Sequence, residues 1–131
     1  GYATEDLRIG LHEPYQEFLR LNDDFKQLCT TWQLRDGEPN DHSDQAYDQH
    51  CVDQLTVLHQ QAARVVTAMA TALPRLARYN QRLTRAVDSV VGGETKRFTG
   101  VMCESFHDVW MELHEDLIVL QHIDRAAEGS F

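Results

Sequence analysis

Residues 44–91 read DQAYDQHCVDQLTVLHQQAARVVTAMATALPRLARYNQRLTRAVDSVV, and the interpretation of this stretch decides the fold. Tyr47, Cys51, Leu55, Leu58, Ala62, Val65, Met69, Leu73, Leu76, Leu83, Val87 and Val90 recur at steps of three or four, with Asn80 as the polar member of the series. That is the period of an amphipathic helix showing one face to its neighbours. At 1.5 Å per residue a straight helix over this stretch would reach roughly 70 Å.

Pro74 interrupts the pattern. Proline lacks an amide donor and its ring crowds the preceding turn, so it kinks or ends a helix. No Gly, Asn or Asp lies beside it to reverse the chain, and the apolar stripe keeps its phase across it. The sequence therefore predicts one long helix over 44–91, kinked at Pro74, with a chain reversal at Pro74 as the alternative.

On the N-terminal side, Arg35-Asp36-Gly37-Glu38-Pro39-Asn40-Asp41-His42-Ser43 concentrates loop-forming residues, with a helix start at Asp41 or Ser43. Before it, Tyr15, Phe18, Leu21, Phe25, Leu28 and Trp32 repeat at helical spacing, and Pro14 suits a first helical position. This predicts a helix over 13–34, preceded by a break at Gly10. On the C-terminal side, Gly92-Gly93 is a helix stop. Glu94 then opens a helix over 94–127, with Phe98, Met102, Phe106, Val109, Leu113, Leu117, Leu120 and Ile123 facing inward and residues 128–131 fraying. No strand is expected. The expected fold is a single all-α domain, 1–131, an antiparallel helical bundle of three long helices with the central one kinked at Pro74. An up-down four-helix bundle with a turn at Pro74 is the alternative.

Hydrophobic residues at 42% and charged residues at 25% suit a globular chain, and the net charge of −9 argues against nucleic acid or an anionic membrane surface as partner. No apolar run approaches the ~20 residues of a membrane span. Cys29, Cys51 and Cys103 have no CxxC spacing. With no secretory pattern in the opening residues, reduced thiols and a cytoplasmic location are expected. A Cys29–Cys51 disulfide is conceivable if the first two helices fold back on each other, though two small core thiols fit better.

Charge falls in blocks: net −8 over residues 1–60, +5 over 61–97 and −6 over 98–131. Arg75, Arg78, Arg82 and Arg85 form a stripe in the basic block. Folding back at Gly92-Gly93 would set Arg82 beside Glu104, Arg78 beside Asp108 and Arg75 near Glu112, ion pairs that specify register. The same arginines are candidates for binding a carboxylate or phosphate ligand. Glu104 and His107 have the Glu-x-x-His spacing of a helix that supplies metal ligands, and His114 follows on the same face. A complete two-metal site needs that motif twice, and it occurs once. A divalent metal is therefore the less favoured cofactor expectation, with no cofactor preferred. Cys103 and His107 lie one helical turn apart, yet a small buried thiol is the plainer role for such a cysteine.

A continuous central helix would leave part of its apolar stripe uncovered in a monomer, which predicts a homodimer or a helical protein partner. The expected function is a non-catalytic helical interaction or regulatory module acting through a helical oligomer interface. The alternative is a helical bundle, enzymatic or not, that binds a metal or small anion through Glu104, His107, His114 and the Arg75, Arg78, Arg82, Arg85 stripe.

Overall fold

A computed structural model describes the backbone of residues 2–128 and the side chains of residues 5–121. The chain is predominantly helical. The side chain of Ile123 and residues 129–131 lie outside what is described. In order, the elements are α1 (Tyr2–Gln33), β1 (Leu34–Arg35), β2 (Glu38–Pro39), α2 (Gln45–Ala72), a 3-10 turn (Pro74–Ala77), α3 (Arg78–Val91), α4 (Lys96–Thr99) and α5 (Phe106–Glu128).

Helix α1 is longer than the pattern over 13–34 implied, because Gly10 and Pro14 both lie inside it. Gly10 is a site of close approach and does not break the helix. A Cβ built there would sit 2.7 Å from the Cβ of Ala72, so the start of α1 lies tight against the end of α2. Leu7 and Leu11 pack on the core ahead of Pro14, extending the stripe of Tyr15 and Phe18 by two turns.

Beyond Gln33, where no strand was expected, the two-residue strands β1 and β2 pair antiparallel around Asp36-Gly37. Both turn residues have positive φ, 53° and 81°, the geometry that Asp-Gly supplies in a tight hairpin. Helix α2 then starts one residue later than Ser43 would place it: Asp44 is the N-cap, its carboxylate accepting from the Tyr47 amide at 3.1 Å.

The central helix does not run through Pro74. Leu73 is extended (φ −141°, ψ 95°), the conformation that a following proline imposes, and the 3-10 turn brings α3 back along α2. Asn80 donates through Nδ2 to the Ala63 carbonyl at 3.3 Å and to Thr67 Oγ1 at 3.1 Å. Further on, His59 and Thr84 are hydrogen-bonded at 3.1 Å. These contacts run in opposite chain directions, so α2 and α3 are antiparallel and their apolar stripes cover each other. Extended backbone at one residue reverses the chain without Gly, Asn or Asp.

The helix expected over 94–127 is also divided. α4 ends at Gly100, and the next helix begins only at Phe106. Met102 and Glu104 have φ of 57° and 56°, so the chain between them is not helical. Ser105 starts α5: its hydroxyl accepts from the Asp108 amide at 3.0 Å, while Asp108 Oδ2 accepts from the amides of Cys103 and Ser105. Ser105-x-x-Asp108 is a capping pair, a start signal stronger than Glu94.

The core is aromatic where α1 meets α4 and α5. Phe18 stacks on Trp110 at 4.7 Å, Phe25 meets Phe106 at 5.2 Å, and Trp32 stacks on Phe98 at 4.6 Å. The aromatic face of the first helix is thus core. Within it the Trp110 indole N–H donates to buried Asn22 Oδ1 at 2.9 Å. Cys29, Cys51 and Cys103 are free thiols, so no bridge joins Cys29 to Cys51. Burial pushes the Cys29 thiol up to about 12 and raises that of Cys51 as well, both away from the thiolate form.

Candidate functional site

The arginine stripe lies on α3 and the turn before it, with Arg75 and Arg82 turned toward α5. Arg75 makes a two-pronged contact with Asp116, both bonds at 2.7 Å, and the Tyr79 hydroxyl donates to the same carboxylate at 2.7 Å. Arg82 bridges two carboxylates, Glu104 at 2.6 and 3.2 Å and Glu112 at 2.6 and 2.9 Å. The pairing of Arg82 with Glu104 is the one expected from the fold-back. Arg75 instead reaches Asp116, one turn beyond Glu112, because α4 and the Gly100–Ser105 loop lengthen the connection. Asp108 is turned to capping duty and does not meet Arg78. Arg78 and Arg85 are exposed, with the Arg78 guanidinium 5.4 Å from the Tyr79 ring centre.

These contacts set the electrostatics. Hydrogen bonds from Arg82 hold Glu104 and Glu112 below the usual carboxylate range, and the bond from Arg75 does the same for Asp116. Burial raises the Tyr79 phenol, as does its bond to Asp116. The forks of Arg75 and Arg82 are therefore already filled by carboxylates of the chain itself.

Glu104, His107 and His114 are separated by the start of α5. Glu104 lies outside the helix and is held by Arg82, so the Glu-x-x-His spacing does not place both groups on one helical face. His107 and His114 lie against the rings of Phe25 and Phe18, at 6.1 and 5.4 Å. Among the described residues no group of three or more His, Cys, Asp or Glu side chains is placed to hold a metal ion. Cys103 is on the loop, its thiol donating to the Lys96 carbonyl at 3.7 Å.

Two features escaped the sequence pattern. The first is the polar knot between α1 and α2. Asn40 donates to the Trp32 carbonyl at 2.8 Å and to Asp48 Oδ1 at 3.0 Å, while His42 Nδ1 lies 2.9 Å from Asp48 Oδ2 and its ring 4.5 Å from Trp32. Tyr47 adds a hydroxyl bond to the Thr31 carbonyl at 2.7 Å. An Asp-oriented histidine is the relay half of a nucleophilic site. Among the described residues, however, no hydroxyl or thiol is hydrogen-bonded to His42, so the knot locks a loop. The density of Asn, Asp and Ser over 40–44 was its only signal.

The second feature is a groove of about 460 Å³ along the outer flank of α1 and α2. Asp24, Gln27, Leu28 and Thr31 form one wall, and His50, Asp53, Gln54, Val57, Leu58 and Gln61 the other. Leu28 and Leu58 are the buried floor, while Val57 is 55% exposed. The Tyr47 to Thr31 bond fixes the antiparallel register, which sets Asp24 and Asp53 at nearly the same level on opposite walls. A mixed polar and apolar stripe does not announce a groove in sequence; it arises only when two helices meet.

His59 is half-buried between α2 and α3, and burial lowers its pKa, opposed by the charge of Asp88. A depressed histidine favours the folded state in its neutral form. Its contribution is present above about pH 6.5, the unfolded value, and is lost as pH falls through the lower folded value. The carboxylates bound to Arg75 and Arg82 act in a separate window: their stabilisation is lost only as pH falls below the ordinary carboxylate range near pH 4. Urea midpoints measured from pH 8 to pH 3 are expected to fall in two steps. His59→Gln should remove the upper step alone; an unchanged profile in that variant would contradict the assignment.

Compared with known protein families, curated proteins and solved structures, the chain matches none. Among the described residues, no helix is long and apolar enough to cross a membrane.

Proposed function

We propose that the chain is a non-catalytic helical recognition module: a single domain with the form of an up-down four-helix bundle that binds a helical segment of a partner protein on the outer flank of α1 and α2. The observation that carries this reading is the contrast between stripes. The buried stripes of α1, α2, α3 and α5 are covered within the chain, whereas the flank that runs over Val57 between Asp24 and Gln61 is an open groove. A folded-back chain has no long bare stripe that requires a second copy. The homodimer expected of a continuous central helix therefore gives way to a monomer with a helical partner.

Light scattering over a range of concentrations is expected to return 15.1 kDa. Twice that mass would contradict the monomer. The expected signature of function is saturable, localised shifts in NMR spectra on titration with helical peptides. No response to any helical peptide would remove the reading. The other interpretation, an anion site at Arg75, Arg78, Arg82 and Arg85, draws support from the exposed guanidinium groups of Arg78 and Arg85. It requires Arg75 and Arg82 to release their carboxylates, and saturable shifts of those four side chains with inorganic phosphate would favour it. The metal version needs Glu104 to leave Arg82 and meet His107 and His114.

A further inference from the structure

We infer that the α1–α2 groove recognises a cationic amphipathic helix, through an apolar seam over Val57, Leu28 and Leu58 and basic side chains set between Asp24 and Asp53; this rests on the reading of the chain as a helical recognition module. Charge selects the occupant. Both ionised side chains facing each other across the groove are carboxylates, and no Lys or Arg is among the residues that line it. The segment that supplies most of both walls, residues 1–60, carries net −8. A second groove, at the other end of the same two helices, provides the contrast. It is lined by Arg8 and Glu13 together with exposed Ile9, and its mixed charges choose no partner.

Shape selects a helix. Two antiparallel helices present a furrow into which the ridge of a third packs, by the same geometry that joins the first two. From His50 to Gln61 the furrow runs roughly 16 Å at 1.5 Å per residue, about three turns of a helical ligand. Apolar side chains at positions i, i+4 and i+7 of that ligand would cover Val57 and the Leu28–Leu58 floor. Lys or Arg on either flank of the seam would reach the two aspartates, and the glutamines and Thr31 supply polar contacts at the rim. The floor residues are already packed in the core, so the floor of the groove is preformed.

The test uses fluorescence anisotropy with a labelled Leu/Lys peptide of about 18 residues, five turns, with Leu at helical spacing. A Leu/Glu peptide of the same pattern and a Leu/Lys peptide broken by two prolines are the comparison probes. The Leu/Lys helix is expected to bind saturably. Val57→Glu should weaken it about tenfold or more, and the pair Asp24→Lys with Asp53→Lys by a similar factor. Met102→Glu, at a fully exposed position on the α4–α5 loop, should bind as wild type. All three variants alter exposed side chains, and unchanged thermal midpoints confirm folding. Equal binding of the proline-broken peptide would overturn the inference, since charge alone would then suffice. Preference for the Leu/Glu helix would overturn it while leaving a helical recognition module in place, whereas wild-type affinity in the Val57 and Asp variants would overturn it and remove the α1–α2 flank as the binding site as well. Binding of neither helical peptide up to ~1 mM, an interaction near 4 kcal/mol, would remove both.

Discussion

Trp110→Ala is expected to cost about 3–5 kcal/mol, the range for deleting a buried aromatic side chain, and so to bring the protein close to unfolding at room temperature. Trp110 is fully buried, with Phe18, Phe25 and Phe106 around it at centroid distances of 4.7, 5.3 and 5.8 Å. It is therefore where α5 is anchored to α1. The substitution opens a cavity that these rings fill only in part, and it leaves Asn22 Oδ1 without its donor in the interior. Urea unfolding followed by far-ultraviolet circular dichroism gives the number. Trp110→Phe separates the two effects: it keeps most of the ring volume and loses the hydrogen bond, for an expected cost of about 1–3 kcal/mol. Adding Asn22→Leu to Trp110→Phe should recover part of that loss, because an apolar pair leaves no orphaned acceptor. A cost below about 1 kcal/mol for Trp110→Ala would mean that α1 and α5 are held together elsewhere.

Gly100→Ala is the second large effect, of about 1–3 kcal/mol, from overpacking against rigid backbone. A Cβ at this position would clash with the Lys96 carbonyl oxygen and lie 3.0 Å from Cys103 Sγ. That carbonyl also accepts the Gly100 amide at 2.8 Å, the bond that closes α4. The clash cannot be relieved by rotating a side chain, so α4 must open and Phe98 loses its place against Trp32. The amides of Phe98 and Gly100 should therefore exchange faster than those of α2, alongside a lower melting temperature. Gly37 is the informative comparison. It has φ of 81° with open space around its Cα, so Gly37→Ala meets only the cost of left-handed backbone, about 1–2 kcal/mol, and should leave α4 exchange unchanged.

Much of this architecture was legible because a helix encodes its buried face locally. The stripe from Cys51 through Met69, the aromatic series Phe18, Phe25 and Trp32, and the stop at Gly92-Gly93 all depend on spacing along one chain segment, and each is in place. The α1–α2 loop and the Arg82–Glu104 pair were legible for the same reason, one from composition and the other from charge blocks. What spacing could not decide was direction. A stripe in phase across Pro74 fits a kinked helix and a reversed one equally well, and the choice falls to burial. Reversal covers the apolar face of α2 with that of α3, while continuation leaves it in water. The same applies at Gly10, where the residue type signals a break and the nearness of Ala72 makes it a packing site.

The candidate site divides in the same way. The arginines were visible as a stripe, but only the folded chain shows that Arg75 and Arg82 are filled by Asp116, Glu104 and Glu112. The groove between Asp24 and Asp53 was not visible at all. Its walls belong to segments separated by the whole α1–α2 connection. Sequence determined which face of each helix is apolar, because that depends on neighbours one turn away. Tertiary structure decided which faces meet and which stay open, because that depends on antiparallel contacts between residues far apart in the chain.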